Sequence, residues 1–118
     1  MMQKDIWDCG VACLAMLLGL PYPVVRSRIR YKKPIGLSSH EIRRVARVLG
    51  FPLRFSKEVD HEDIGIVVLE RTGGDRHAVL YAKGTLYNPA QGEWWTDLSS
   101  YQERSRYRKI IGIFKRED

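Results

Sequence analysis

The spacing of hydrophobic residues changes near the middle of the chain. Up to Gly50 these residues recur at helical intervals. The pattern predicts a helix over Cys9–Leu18, a short helix near Val24–Arg30, and an amphipathic helix that starts at a capping box of Ser38 and Glu41. The first helix carries almost no polar residue, and a helix that is apolar on every side must be buried.

From Pro52 onward the apolar residues form short runs between turn residues, which is the pattern of strands. The turn Gly73-Gly74-Asp75 would close a hairpin. We therefore expect one α+β domain over residues 1–118, with the buried N-terminal helix packed on an antiparallel sheet of about four to six strands. The predicted strands are Leu53–Phe55, Ile64–Leu69, Ala78–Ala82 and Ile110–Phe114, with a fifth at Thr85–Tyr87.

Composition and charge exclude few classes of function. The hydrophobic fraction of 44% and the charged fraction of 29% are ordinary for a globular protein. The net charge of +6 would attract acidic partners at long range. Basic residues cluster at 26–33 and 104–109, and such clusters are more often solvated faces than nucleic-acid sites, so nucleic acid is not the expected partner.

The two cysteines, Cys9 and Cys13, lie one turn apart in one predicted helix, which suits neither a disulfide framework nor an oxidising compartment. The apolar run Val11–Leu20 is too short to span a bilayer, and Asp5 and Asp8 spoil the basic leader of a signal peptide. We expect a cytoplasmic protein without a membrane span.

Cys9 is the residue best placed for chemistry. A helix N-terminus lowers the pKa of a thiol, because unpaired N–H groups and the helix dipole favour the thiolate. Asp8 is the predicted N-cap of this helix. Cys13, one turn deeper, gains none of this and is expected in the core. A metal site of both cysteines and a histidine would lack a fourth ligand, so no metal or cofactor is expected.

The segment around Cys9 resembles the signature of the C39 peptidases, the double-glycine leader peptidase group of papain-like cysteine proteases. The matching positions are Gln3, Asp8, Cys9 and Gly10, with the glutamine six residues before the cysteine. The resemblance implies a papain-like fold with Cys9 as nucleophile on the buried helix and Gln3 as an oxyanion-hole amide. It also implies a substrate-binding surface near the nucleophile, for which we name Trp7, Asp8, Gly10 and Ala78.

A nucleophilic cysteine needs a base and a group that orients the base. Among three histidines, His77 begins an apolar strand, whereas His40 and His61 lie in polar surroundings and are expected at the surface. By resemblance, His77 is the base and Asn88, which precedes a proline, orients it. C39 peptidases generally have Asp there. An amide can still hold the imidazole tautomer, but adds no negative charge to stabilise the imidazolium.

The expected function is a cysteine peptidase that cuts after small residues, with Gly-Gly implied by the resemblance. This would be a stand-alone form of the family, with any ABC transporter or export partner encoded separately. Two alternatives stay open. One is another acyl-transfer enzyme on the same scaffold, a deamidase or an effector protease; the other is a non-catalytic binder of glycine-rich tails or acidic partners.

Overall fold

The computed structural model describes residues 9–28, 39–71, 76–88, 92–104 and 107–117. Within these ranges the side chains of six residues are outside the description, so only their backbone is used below. They are Cys9, Ser39, His40, Arg71, Glu93 and Arg108.

The described chain folds into four helices and one six-stranded antiparallel sheet. The strand order is β1-β6-β2-β3-β4-β5, so the last strand lies between the first two. The helices are α1 (Cys9–Leu18), α2 (Tyr22–Arg26), α3 (Ser39–Val48) and α4 (Leu98–Arg104). The strands are β1 (Leu53–Ser56), β2 (Ile64–Arg71), β3 (Arg76–Ala82), β4 (Thr85–Asn88), β5 (Glu93–Trp95) and β6 (Tyr107–Arg116).

Helix α1 is the centre of the larger core, as its apolar sequence predicts. It ends at Gly19, whose φ of 68° is the left-handed conformation that glycine adopts most easily. The helix packs mainly against β3 and also contacts α2, α3 and β2. Its buried side chains are Val11, Ala12, Cys13, Leu14, Ala15 and Leu18.

The sheet buries both of its faces, and the strand register determines which residue lies on which face. Ile66 pairs with Phe114 on the face that α1 covers, which we call the first face. Val67 pairs with Ile113 on the second face, where Tyr101 of α4 packs. The central strands are therefore covered on both sides, and this accounts for their unbroken apolar runs.

An ion pair within α3 links this helix to the chain just after α2. Glu41 is only 3% exposed, and its carboxylate accepts hydrogen bonds from the Arg44 guanidinium, one of them at 3.1 Å. The same guanidinium donates to the carbonyl oxygen of Arg28 at 2.7 Å. Glu41 thus has a role beyond the predicted capping box, whose other member, Ser38, lies outside the described residues.

The predicted fold class is confirmed, including the burial of α1 on one sheet face and a strand count of six. The short second helix begins earlier in the chain than predicted, at Tyr22, directly after the N-cap residue Pro21. Two elements, β5 and α4, were not predicted. A strand of three residues and a helix of seven are too short for either period to be recognised.

None of the helices in the described ranges is both long enough and apolar enough to cross a bilayer.

A substitution at Gly65 tests how closely β2 and β6 approach. A Cβ atom there would lie 2.2 Å from the carbonyl oxygen of Phe114, and backbone cannot easily give way. We expect Gly65→Ala to lower the free energy of unfolding by about 3 kcal/mol. The matched control is Gly19→Ala, which meets open space and costs only the left-handed strain, about 1 kcal/mol. Denaturant unfolding measures both, and an equal or smaller loss for Gly65→Ala would contradict this packing.

Candidate active site

The start of α1 is the first part of the candidate site. The helix begins at Cys9, as predicted, and Gly10 is buried directly after it. Backbone N–H groups in the first turn of a helix have no partner within the helix and can hold a negative charge. The other residues predicted in this region, Gln3, Trp7 and Asp8, lie outside the described part of the chain.

Cys13 links α1 to the strand that carries His77. It is fully buried, as predicted, and its Sγ lies 3.5 Å from the carbonyl oxygen of Ala78. One helical turn, about 5.4 Å of rise, separates Cys13 from Cys9. Ala78 follows His77 in β3. The backbone of Cys9 is therefore held about one helical turn from Cys13, which contacts Ala78. Ala78 itself is buried in the core under α1, so its predicted role in substrate binding stays a prediction.

The second part of the site is a buried pair formed by His77 and Asn88. The imidazole Nε2 lies 2.8 Å from the amide oxygen Oδ1, and the two residues are 8% and 5% exposed. Because Oδ1 can only accept, Nε2 must carry the proton and donate it. In the neutral imidazole, the lone pair is then on Nδ1. The pair therefore sets Nδ1 as the atom that can take a proton from another group.

Burial lowers the pKa of His77 below its ordinary value, because the surroundings disfavour a charged imidazolium. The hydrogen bond to Asn88 acts in the opposite direction but is the smaller effect. The neutral form is the form of a general base, so the environment favours His77 in the state that accepts a proton.

Strand register determines which way the imidazole faces. His77 pairs with Leu69 and so lies on the second face, whereas Ala78 pairs with Val68 on the first face, beneath α1. The described β3–β4 ladder starts at Leu80, three residues beyond His77. His77 thus lies in the part of β3 that precedes the residues paired with β4. Helix α1 covers the other face, so contact between Nδ1 and a group at the start of α1 would have to run around this end of the strand.

Tyr107 is a site residue that the sequence analysis missed. Its ring lies against the imidazole of His77, with ring centroids 5.1 Å apart and planes tilted by 34°. It comes from the first position of β6, 30 residues after His77 in the chain. No local sequence signal connects the two, because their contact depends on the register of β6 against β2.

The other candidates of the sequence analysis are not part of this pair. His61 is exposed, as predicted, and His40 lies in the first turn of α3, with its side chain outside the described residues. Within the described ranges, no cluster of three or more metal-binding side chains occurs.

The two tryptophans of β5 have different environments. Trp94 is 62% exposed and its ring lies tilted against that of Tyr87, while Trp95 packs edge-on against Tyr101. Of the two, Trp94 is the one with surface available to a substrate.

Comparison with solved structures finds a match to the whole fold. The crystal structure of a double glycine motif protease from an AMS/PCAT transporter, in complex with the leader peptide, superposes with a TM-score of 0.65. The match covers 98% of this chain and 89% of the other, at 20% sequence identity. At that identity the likeness establishes a shared papain-like fold. No protein-family model and no curated protein sequence matches the chain.

An NMR titration of His77 tests the electrostatics of the pair. We expect the pKa of His77 to lie below the ordinary 6.5, since burial disfavours its charged form. Asn88→Asp should raise it, because a carboxylate in the same place adds an attraction for the imidazolium. Asn88→Ala removes the stabilising acceptor and should lower it further. A pKa that does not rise in Asn88→Asp would contradict the assigned hydrogen bond.

The same depressed pKa predicts how folding stability depends on pH. Between the folded pKa and 6.5, the unfolded chain binds more protons at His77 than the folded chain does. The contribution of His77 to stability therefore rises with pH up to about 6.5 and is lost as the pH falls toward the folded pKa. Denaturant unfolding at several pH values, compared with His77→Gln, should show a shallower rise over this interval in the variant. Equal slopes would mean that His77 is not buried as a neutral group.

Proposed function

We propose that this protein is a cysteine peptidase in which Cys9 is the nucleophile and His77 its general base. Asn88 orients the imidazole, and the backbone N–H groups at the start of α1, with Gln3, stabilise the oxyanion. The observation that carries the proposal is the buried hydrogen bond from His77 Nε2 to Asn88 Oδ1. It leaves Nδ1 free to accept the thiol proton.

Three features support this assignment of roles. The cysteine stands at a helix N-terminus, where thiolate is favoured. The base belongs to the strand on which that helix packs. The base and its orienting residue are buried together, so water does not compete for their hydrogen bond. The shared fold with a double glycine motif protease is consistent with all three.

The proposed reaction proceeds in two acyl-transfer steps. His77 Nδ1 takes the proton of Cys9, and the sulfur forms a bond to the carbonyl carbon of the substrate, whose oxygen becomes the oxyanion. Collapse of this intermediate breaks the C–N bond, and the imidazolium gives its proton to the leaving amine. Water then attacks the thioester with His77 as base, which releases the carboxylic acid and restores the thiol.

For the substrate, we propose a peptide or protein with small residues before the scissile bond, Gly-Gly being the first to test. The structural neighbour is a double glycine motif protease bound to a leader peptide, and the resemblance around Cys9 points to the same specificity. Such a substrate would reach the start of α1 in an extended form, because glycine residues have no side chain to obstruct the approach.

A peptide-cleavage assay tests the proposed function directly. We expect the protein to cut peptides after Gly-Gly and to cut the same peptides with Val-Val more slowly by about 100-fold or more, the discrimination that steric exclusion of side chains can supply. Cys9→Ala should lower the rate by at least about 1,000-fold. The matched control is Cys13→Ser, whose thiol lies in the core and outside the proposed chemistry. Mass spectrometry of the products reads the cleavage site.

The products also separate the proposal from its alternatives. A mass gain of about 1 Da on a glutamine or asparagine, with no chain cleavage, would identify a deamidase on the same scaffold. Saturable binding of Gly-Gly peptides that is equal in the wild type and in Cys9→Ala, with no product at all, would identify a binding module. Either result would refute the peptidase assignment.

A further inference from the structure

Tyr107 makes a contact with His77 that the proposed mechanism does not yet use. The rings lie with their centroids 5.1 Å apart, at a tilt of 34°, on the second face of the sheet. Tyr107 is half-buried and packs against the cluster that contains Leu69, the strand partner of His77. The tyrosine ring thus covers one side of the imidazole, whereas Asn88 holds one edge of it.

Two irregularities in β6 bring Tyr107 to this position. Val67 pairs with Ile113, and uninterrupted pairing from there would place Lys109 opposite Arg71. Register shifts after Val68 and after Glu70 each leave one extra residue in β6, so that Tyr107 lies opposite Arg71 instead. The shifts therefore draw Tyr107 two residues, about 7 Å, along the sheet toward His77. Bulges of this kind commonly re-aim side chains beside functional sites.

We propose that Tyr107 is a positioning residue for His77 and keeps its Nδ1 as the proton-accepting atom. The inference rests on the proposed function for the catalytic role of His77, but the contact between the rings of Tyr107 and His77 does not depend on that role. Rotation of the imidazole about its Cβ–Cγ bond would carry Nε2 away from Asn88. A ring packed against the imidazole face hinders that rotation and keeps water from the Nε2–H···Oδ1 bond.

The electronic character of the tyrosine ring adds a second effect. The face of an aromatic ring is electronegative and attracts a cation that lies above it. The imidazolium that forms when His77 takes the thiol proton would gain this attraction. Because Asn88 favours the protonated state only through its hydrogen bond, Tyr107 would be a second neutral group beside His77 that favours this state during the reaction. A leucine could fill the volume without doing so.

The tautomer of His77 can be measured without any substrate. In a Cys9→Ala background, long-range 1H–15N spectra report which imidazole nitrogen carries the proton. We expect Nε2–H in the parent and in Tyr107→Phe, which keeps the ring. In Tyr107→Leu, we expect the ratio of Nδ1–H to Nε2–H to rise by about 2- to 10-fold, the range that a stacked aromatic pair commonly contributes. The matched control is Tyr101→Leu, from the same cluster but in edge-on contact with Trp95, which should leave the ratio unchanged.

Kinetics provide the second arm, with Cys9 restored. If Tyr107 acts through the base, Tyr107→Leu should lower kcat by about 2- to 10-fold and leave KM unchanged, while Tyr107→Phe restores kcat. A purely structural role would not separate the leucine and phenylalanine variants in kcat while both remain folded.

The proposal is overturned if Tyr107→Leu is folded and keeps the parent tautomer ratio. Should that variant not fold, the parent decides by itself: nuclear Overhauser contacts between the rings of Tyr107 and His77, with an Nε2–H tautomer, support the proposal, and their absence overturns it. A protein that cleaves no peptide but shows the expected tautomer response refutes the peptidase function and supports the positioning role. The two failures are therefore distinguishable.

Discussion

The packing of α1 against β3 is the constraint on which the rest of the structure depends. A helix with almost no polar face cannot remain at the surface, and the sheet offers an apolar face broad enough to cover it. The contact also fixes the position of the start of the helix relative to the sheet. Because Cys13 lies against the backbone of Ala78, the first turn of α1 is held near the strand that carries His77. The same burial that stabilises the fold therefore sets the position of the proposed nucleophile.

How far the sequence predicts this molecule depends on whether each feature is local. The limits of α1 were predicted because Gly19 and the apolar run are adjacent in the chain. His77 and Asn88 were named from a resemblance, and the hydrogen bond between them is what the structure adds. Tyr107 could not be found, since its approach to His77 depends on two bulges in β6 that no periodicity reveals. Short elements such as β5 lack the length for a periodic signal.

The presence of Asn88 where an aspartate is usual in C39 peptidases changes the electrostatics of the proposed site. A neutral amide fixes the tautomer of His77 and favours its positive charge only through one hydrogen bond, without adding a negative charge. Burial then prevails and lowers the pKa of the imidazole. Asn88 therefore fixes the orientation of the base but adds no charge beside it. Neutral groups that favour the imidazolium become more important as a result. The ring of Tyr107 is such a group, whereas the helix dipole at Cys9 favours the thiolate.

Cys9 and His77 are proposed to act as a nucleophile and its base. The most direct measurement is the pH dependence of iodoacetamide alkylation, read at Cys9 and Cys13 separately by mass spectrometry. We expect Cys9 to be alkylated rapidly well below the pKa of about 8.5 of a free thiol, and His77→Ala to remove this advantage. Buried Cys13 should stay slow throughout. If Cys9 instead reacts as a free thiol does, and equally fast without His77, the catalytic account is contradicted.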